Sequence, residues 1–474
     1  MALFWDYFAA KSLISSLSRR IALQRSSTYF LFIPALSYTL SLYWEHCVSK
    51  LVPKPYLDEV FHIRQAQAYC HGNYTVWDPK ITTPPALAFS KQFCSIHQLR
   101  LFNCHALLLT FYYAYGCRRR IVRKWARNRY LLDVDALHTA FNITLFPPLF
   151  FFSGLFYTDV LSTCCVLVSY KLYLERNDER TNLRLNLLCS FIIGIVCLLI
   201  RQTNIFWVAI FLGALQLVDT IKLHQIKEEI LKSSIIRNQY ISKFLKEYCI
   251  LKLHDPSLEE AGDKSNHVAT IHLPQMLYLW PLITFFSAPL LIPAGISFFR
   301  RLNHQIPRHV FISISWSNLQ SALHITGGLI VCLATIKYNT IIHPFTLADN
   351  RHYMFYIFRY SILCHPAIRF LLAPIYAICS ALPRYFITCW VLWRLNIPMN
   401  LSKELVSENK TSDSRTNNLF FKALKKPYSS MCHKKWLWLE TTWLILINFI
   451  TGYIFLHKGF EWPQEPGNVQ RFMW

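Results

Sequence analysis

The stretch "KPYLDEVFHIRQAQAYCHGNYTVWDPKITTPP" (Lys54–Pro85) carries three acids, Asp58, Glu59 and Asp78, with two histidines, one arginine and four tyrosine or tryptophan rings. The clusters "FYTD" (Phe156–Asp159), "RQTN" (Arg201–Asn204), "GDKSNH" (Gly262–His267), "HPFTLADNRHY" (His343–Tyr353) and "QRFMW" (Gln470–Trp474) repeat the mixture further along. Rings stack on the C–H face of a sugar, and Asp, Asn, Gln and His meet its hydroxyls. Guanidinium donates paired hydrogen bonds to phosphate. A carboxylate at a helix end can take the proton of an attacking hydroxyl. Together these groups describe transfer of a sugar from a lipid phosphate to a hydroxyl. The leaving group is a phosphomonoester whose charge arginine meets, so neither a divalent metal nor another cofactor is required.

On that chemistry Asp58 is the candidate base, with Glu59 as the alternative. Arg201, Arg351 and His352 suit the donor phosphate, while Trp77, Asp78, Asp159, Asn204, Asn350 and Tyr353 suit sugar. Plainer uses stand beside these. Asp58 and Glu59 could cap a short interfacial helix, and Asp159 the helix that follows it. His62 and His71 could pack, and Arg201 could snorkel from a helix end. Each cluster alone is weak; several in series, the early ones on one face, carry the reading.

The elements that must position these residues lie in lipid. The chain has 474 residues, 53% hydrophobic and 16% aromatic, with a mean hydropathy of +0.26. Only 16% is charged, against roughly 25% in soluble domains. One core cannot hide so much apolar surface. The excess of 49 Lys and Arg over 26 Asp and Glu therefore marks cytoplasmic helix ends and not nucleic acid. About eleven spans are expected, near Tyr29–Val48, Leu101–Gly116, Ala136–Ser153, Val160–Leu174, Leu187–Ile200, Thr203–Val218, Leu273–Ile296, Leu319–Tyr338, Ile362–Leu382, Tyr385–Leu395 and Trp436–Leu456. The second, fifth and tenth are short.

The first of these is too long for a cleaved signal and reads as an anchor, with residues 1–28 cytoplasmic and 29–474 one polytopic membrane domain. "CRRRIVRKWARNR" (Cys117–Arg129) holds seven basic residues in thirteen, which puts the 117–135 loop in the cytoplasm. The 49–100 loop then falls in the lumen, as do "FYTD" and "RQTN". The count breaks at the polar 220–260 segment, because one apolar span joins it to the equally basic "FFRRLNHQIPRH" (Phe298–His309). A second polar loop covers 398–434. The fifteen cysteines include no CxxC pair and indicate neither a zinc site nor a disulfide framework. Asn73, Asn142, Asn400 and Asn409 are glycan acceptor matches that test topology.

The stretches "YLDEVFHIRQAQAYC", "WDPKITTPP", "NITLFPPLFFFSGLFYTD", "RQTNIFWV", "GDKSNHVATIHLPQ", "HPFTLADNRHYMFYIFR", "WRLNIP" and "QRFMW" run in order from Tyr56 to the final residue. With them the chain resembles the dolichyl-phosphate-glucose-dependent alpha-1,2-glucosyltransferases of asparagine-linked glycosylation. The resemblance implies an all-α GT-C type fold in the endoplasmic reticulum membrane. It also implies addition of the third, terminal glucose from dolichyl phosphate glucose to a dolichyl-diphosphate oligosaccharide. The partners expected are those two lipids and the membrane, with no nucleic acid. Two places depart from the family pattern. An apolar span precedes its "GD-S-H" motif, where this chain has the polar Ile221–Glu260, and a span is missing at "CSALPRYF" (Cys379–Phe386). An inactive or truncated version of the enzyme would show such gaps. A transporter, channel or membrane scaffold is the rival class; midplane charge pairs and broken helices would favour it, and neither is evident in the sequence. A mannosyl- or glucosyltransferase acting earlier in the same pathway is the rival within the enzymes.

Overall fold

The computed structural model describes residues 30–76, 78, 81, 94–123, 129–178, 181–228, 282–291, scattered positions between 327 and 370 that include 351–357, then 386–397, 430–461 and 469–474. These residues are mostly helical. In chain order the elements are α1 (30–51), α2 (Glu59–Cys70), α3 (Ile96–Arg123), α4 (Arg129–Thr144), α5 (Pro147–Ser153), α6 (Thr158–Glu175) and α7 (Leu183–Ile200). There follow α8 (Leu212–Glu228), α9 (Tyr353–Ile357), α10 (Phe386–Asn396) and α11 (Ser430–His457). Two short strands, β1 (Phe460–Glu461) and β2 (Val469–Gln470), pair antiparallel near the end of the chain. Among the described residues, Leu183–Ile200, Gln202–Ile221 and Lys435–His457 are long and apolar enough to cross a membrane, and the broken pair α5 and α6 would make a fourth. Most of the expected spans at Leu319–Tyr338, Ile362–Leu382 and Leu273–Ile296 lies outside the described residues.

Several sequence expectations need correction. The second span is not short: α3 runs for 28 residues and carries Arg118–Arg120 and Arg123 inside its last turns. The basic 117–135 loop is therefore largely helix. Arg118 is tolerated there because it is buried against Asp135 (3.3 Å) and donates to the carbonyls of Leu395 and Ile397 (2.9 and 2.8 Å). The 136–153 span is broken. Pro147 and Pro148 have no N–H to give the preceding turn, and proline drives the residue before it out of the helical region; Phe146 sits at ψ 119° and α5 restarts at Pro147. The sixth expected span opens with a 3-10 turn (Gln202–Asn204) and a π-helical stretch (Phe206–Phe211), and α8 reaches Glu228, into the polar 220–260 segment. A disulfide, not expected from the sequence, joins Cys70 to Cys94. Of the glycan acceptors, Asn73 is exposed, Asn142 is buried, and Asn400 and Asn409 lie outside the described residues.

The chain forms two compact units. The first holds residues 1–53, 114–154 and 270–474. In it α11 packs on α4 and α5, and α10 on α4. Trp44 fills the space beside Gly154, where a Cβ would come within 2.6 Å of the indole, and donates to the Phe151 carbonyl. Phe146 stacks on Trp390 with ring centroids 4.2 Å apart. Through this apolar packing runs a polar chain. Arg394 grips Glu440 with two 2.7 Å bonds, both side chains fully buried. Asn142 adds a third bond to Glu440, and Thr441 donates to Asn142. The second unit holds residues 54–113 and 155–269; there α6 packs along α7, and α2 lies on α3 through Ile63, Ala66 and Leu99, with Phe156.

Removing one partner of a buried ion pair leaves the other charge uncompensated, at a cost of about 3–5 kcal/mol, whereas replacing both with apolar groups is often neutral. Arg394→Ala should lower the thermal midpoint of the detergent-solubilised protein sharply, and Arg394→Met with Glu440→Leu should recover most of it. A single variant that melts like the wild type would show that the pair does not hold α10 to α11.

Candidate functional site

Lys54–Asp58 leads into α2, and Leu57 there takes a positive φ of 53°. A non-glycine residue pays a steric penalty in that region and holds it only where neighbours over-determine the backbone. Glu59 supplies that constraint. It is fully buried, and Arg100 of α3 reaches it with Nε (2.8 Å) and Nη2 (2.7 Å). The same carboxylate accepts the backbone N–H of Tyr56 (3.1 Å) and of Phe156 (2.9 Å). Asn103, one turn beyond Arg100, donates to the carbonyls of Leu155 and Tyr157. Tyr157 donates its hydroxyl to the Tyr56 carbonyl. Thus the 54–58 turn, α3 and the 155–157 segment are stitched at one point. Glu59, the alternative base, has both oxygens engaged inside the fold, in bonds that hold the 54–58 turn, α3 and the 155–157 segment together.

Asp58, by contrast, is exposed and makes no side-chain capping bond to α2. Among the described residues it takes part in no ion pair. One turn along α2 sits His62, whose ring lies 6.1 Å from that of Tyr157. Burial holds the His62 imidazole below its ordinary range, against the upward pull of Asp58 first and then of Asp159, while Arg201 pushes the same way as burial. Burial also raises the Tyr157 phenol, with Asp58, Glu59 and Asp159 adding to the effect. Asp58, His62, Tyr157, Asp159 and Arg201 therefore act on one another. Asp159 stands in the first turn of α6, and Arg201, just past the end of α7, bonds its carboxylate. The two residues assigned separately to sugar and phosphate are partners. The Asn204 amide accepts from Ser162 (2.8 Å) and donates to the Cys197 carbonyl (2.9 Å), bonds that brace the "RQTN" turn.

The far side of the opening loop is tied back to α2. Gln65 donates to the Val76 carbonyl and accepts the Asp78 N–H (2.6 and 2.8 Å), and Gln67 donates to the Cys94 carbonyl beside the disulfide. Asp78 is half-buried at this tie; Trp77 lies outside the described residues. Arg100, Asn103, Gln65 and the disulfide escaped the sequence reading. Arg100 left one signal: a lone arginine at the mouth of an apolar helix calls for an acid, and Glu59 was the acid in reach.

In the other unit, Arg351, His352 and Tyr353 meet the end of the chain. The Met473 N–H bonds the Arg351 carbonyl (2.9 Å), and the Tyr353 N–H bonds the Met473 carbonyl (3.2 Å). Arg351 donates to Gln470 Oε1 (3.1 Å), and His352 Nδ1 lies 3.1 Å from the Trp474 carbonyl oxygen. Arg471 anchors the tail by donating to the carbonyls of Phe455 and Leu456 at the end of α11. The Tyr353 hydroxyl is pushed up to about 12 by burial. Asn350 and the "GDKSNH" cluster lie outside the described residues.

The DIE2/ALG10 family model matches residues 52–255 and 260–382. A Gibberella zeae protein is 31% identical over 94% of this chain and 92% of its own length, and an Aspergillus fumigatus protein is 31% identical over 91% and 96%. A mouse protein is 27% identical over 95% of this chain and 100% of its own length. All three are named Dol-P-Glc:Glc(2)Man(9)GlcNAc(2)-PP-Dol alpha-1,2-glucosyltransferase. The mouse alignment runs over 531 positions against 474 in this chain, so at least 57 residues (531 less 474) of the mouse protein have no counterpart here. No solved structure matches.

His62 yields a pH test. Its folded proton affinity lies below the ordinary value of 6.5, so the unfolded chain binds the extra proton first as pH falls. Stability rises with pH through this window and is lost as pH drops below 6.5 toward the folded value. Lowering pH through that range should depress the thermal midpoint of the wild type more than that of His62→Gln. Equal acid sensitivity in the two would mean that His62 titrates as an exposed imidazole.

Proposed function

This chain belongs to the DIE2/ALG10 family, and from that membership we propose that it adds the terminal alpha-1,2 glucose to a diglucosylated, dolichyl-diphosphate-linked oligosaccharide. Dolichyl phosphate glucose is the donor. The observation that carries the mechanism is the contrast between two adjacent acids: Glu59 is buried and fully bonded, while Asp58 stands exposed beside His62 and the Asp159–Arg201 pair. In one step the acceptor 2-hydroxyl oxygen attacks the anomeric carbon and its proton passes to the Asp58 carboxylate. The bond from that carbon to the phosphate oxygen breaks, and dolichyl phosphate leaves with the electron pair. One displacement inverts a beta donor to an alpha product. Arg201 steadies charge near the acids. Arg351 and His352 take the donor phosphate, with Asp78 and Tyr353 on sugar. Trp77 and Asn350 complete the proposed sugar contacts.

We further propose a GT-C type membrane fold with the 49–100 segment in the lumen of the endoplasmic reticulum. The Cys70–Cys94 bond supports that side, because disulfides persist in oxidising compartments. Asn73, exposed on the same segment, should then carry a glycan removable by endoglycosidase; an unmodified Asn73 together with a modified site engineered at Arg123 would reverse the orientation. Two features that would favour a transporter are present: the buried Arg394–Glu440 pair and the breaks at Pro147 and after Ile200. The pair is gripped on both oxygens and bound further by Asn142, which suits a fixed strut better than a moving charge.

Expression of the chain in cells lacking the terminal glucosyltransferase should restore the third glucose on their lipid-linked oligosaccharide. A general base supplies about 10²–10⁴-fold in rate, so Asp58→Asn should reduce transfer in that range with the protein still folded. Glu59→Gln should instead lower the thermal midpoint, through the loss of its buried charge. Normal transfer by Asp58→Asn would remove it as the base and pass the role to Asp78 or Asp159.

A further inference from the structure

The tail that meets Arg351–Tyr353 ends in a pair of touching rings, of which the proposed chemistry uses only Tyr353. The Tyr353 and Trp474 rings touch edge to face, with centroids 5.1 Å apart, and Trp474 also packs on Phe286 at 5.6 Å. The hydroxyl of Tyr353 and the indole Nε1 of Trp474 are both buried, and neither has a hydrogen-bond partner among the described residues. A buried donor without an acceptor costs about 1–3 kcal/mol, and such groups are rare enough that each needs a cause. Two of them on touching rings, beside an arginine and a histidine, point to an acceptor that arrives from outside the chain. Indole can only donate, and a phenol held protonated by burial donates as well. The missing partner therefore presents oxygens that accept, and the neighbouring Arg351 and His352 favour an anionic one.

We infer that Tyr353 Oη and Trp474 Nε1 bind the phosphate of the lipid-phosphate sugar donor, so that the chain's last residues form part of the substrate site. The inference rests on the glucosyl-transfer reading above, moves the Tyr353 hydroxyl from the sugar to the phosphate and adds Trp474. The strand contacts from Met473 to Arg351 and Tyr353 hold the indole in place, and the Arg351–Gln470 bond fixes the guanidinium at the same clasp.

Tyr353→Phe deletes only the hydroxyl, and Trp474→Phe keeps an aromatic ring but removes the pyrrole part of the indole together with its N–H. Full-length wild type and both variants would be purified in detergent and melted with and without dolichyl phosphate. The wild type should be stabilised by the lipid. Tyr353→Phe should melt without lipid at or above the wild-type midpoint, since it loses an unsatisfied buried donor, whereas Trp474→Phe also loses packing against Phe286; both variants should lose most of the lipid-induced rise. The KM for dolichyl phosphate glucose should increase about ten- to hundredfold, as loss of a hydrogen bond to a charged group implies, while the KM for the oligosaccharide stays level. The inference fails if dolichyl phosphate does not stabilise the wild type, if the variants keep the full shift and donor KM, or if the change is confined to the acceptor KM. A lowered midpoint of Tyr353→Phe without lipid would also overturn it, by showing that the lost hydroxyl had a partner within the fold. Lipid-dependent stabilisation that vanishes in the variants, in a wild type unable to transfer glucose, would refute the transfer reading and uphold this site.

Discussion

The geometry of the second unit depends on a single buried ion pair. Glu59 and Arg100 are both removed from water, and separate burial of either charge would be prohibitive. Together they are stable because every oxygen is used: two guanidinium bonds and two backbone N–H bonds converge on one carboxylate. Charge-assisted, bidentate bonds of this kind add direction as well as energy. The pair fixes where α2 begins, how α3 lies against it and where the Phe156–Asp159 segment turns. It also divides the labour between neighbours in the chain. One acid is consumed by structure, and the next residue back remains open at the surface, behind a leucine forced to a positive φ.

The first unit solves a parallel problem by different means. Its polar chain from Arg394 through Glu440 and Asn142 to Thr441 ties α10, α11 and α4 together amid stacked aromatic rings. Its outer edge is closed by backbone pairing between the tail and the Arg351–Tyr353 segment. In both units a charged residue that looks anomalous in an apolar helix turns out to be paired with a buried carboxylate through two hydrogen bonds.

Much of this was legible in the residues. Clusters rich in acid, arginine and aromatic rings marked the loops, and long apolar runs marked the helices, because both signals are local. Asp58 could be picked out by its type and place. What the sequence hid was pairing at a distance. Glu59 and Arg100 are 41 positions apart, and nothing in the spacing of either says that they meet. Cys70 and Cys94, lost among fifteen cysteines, gave no paired motif. Asp159 and Arg201 each looked like a ligand, and only the packing of α6 on α7 reveals them as partners. The break at Pro147 was written plainly in two prolines, yet the apolar residues on either side carried the span across it. Helix ends were misjudged where charge was buried, since a hydropathy window stops at the first arginines and Arg118 does not.

The Cys70–Cys94 bond has a consequence for how the enzyme matures. Closing a segment of 24 residues removes about 3 kcal/mol of disorder from the open chain, and that segment bears the ties from Gln65 and Gln67. The membrane helices need no oxidant to form, whereas this loop does. A newly made molecule thus passes through a stage in which its helices can form while this loop is still unlocked.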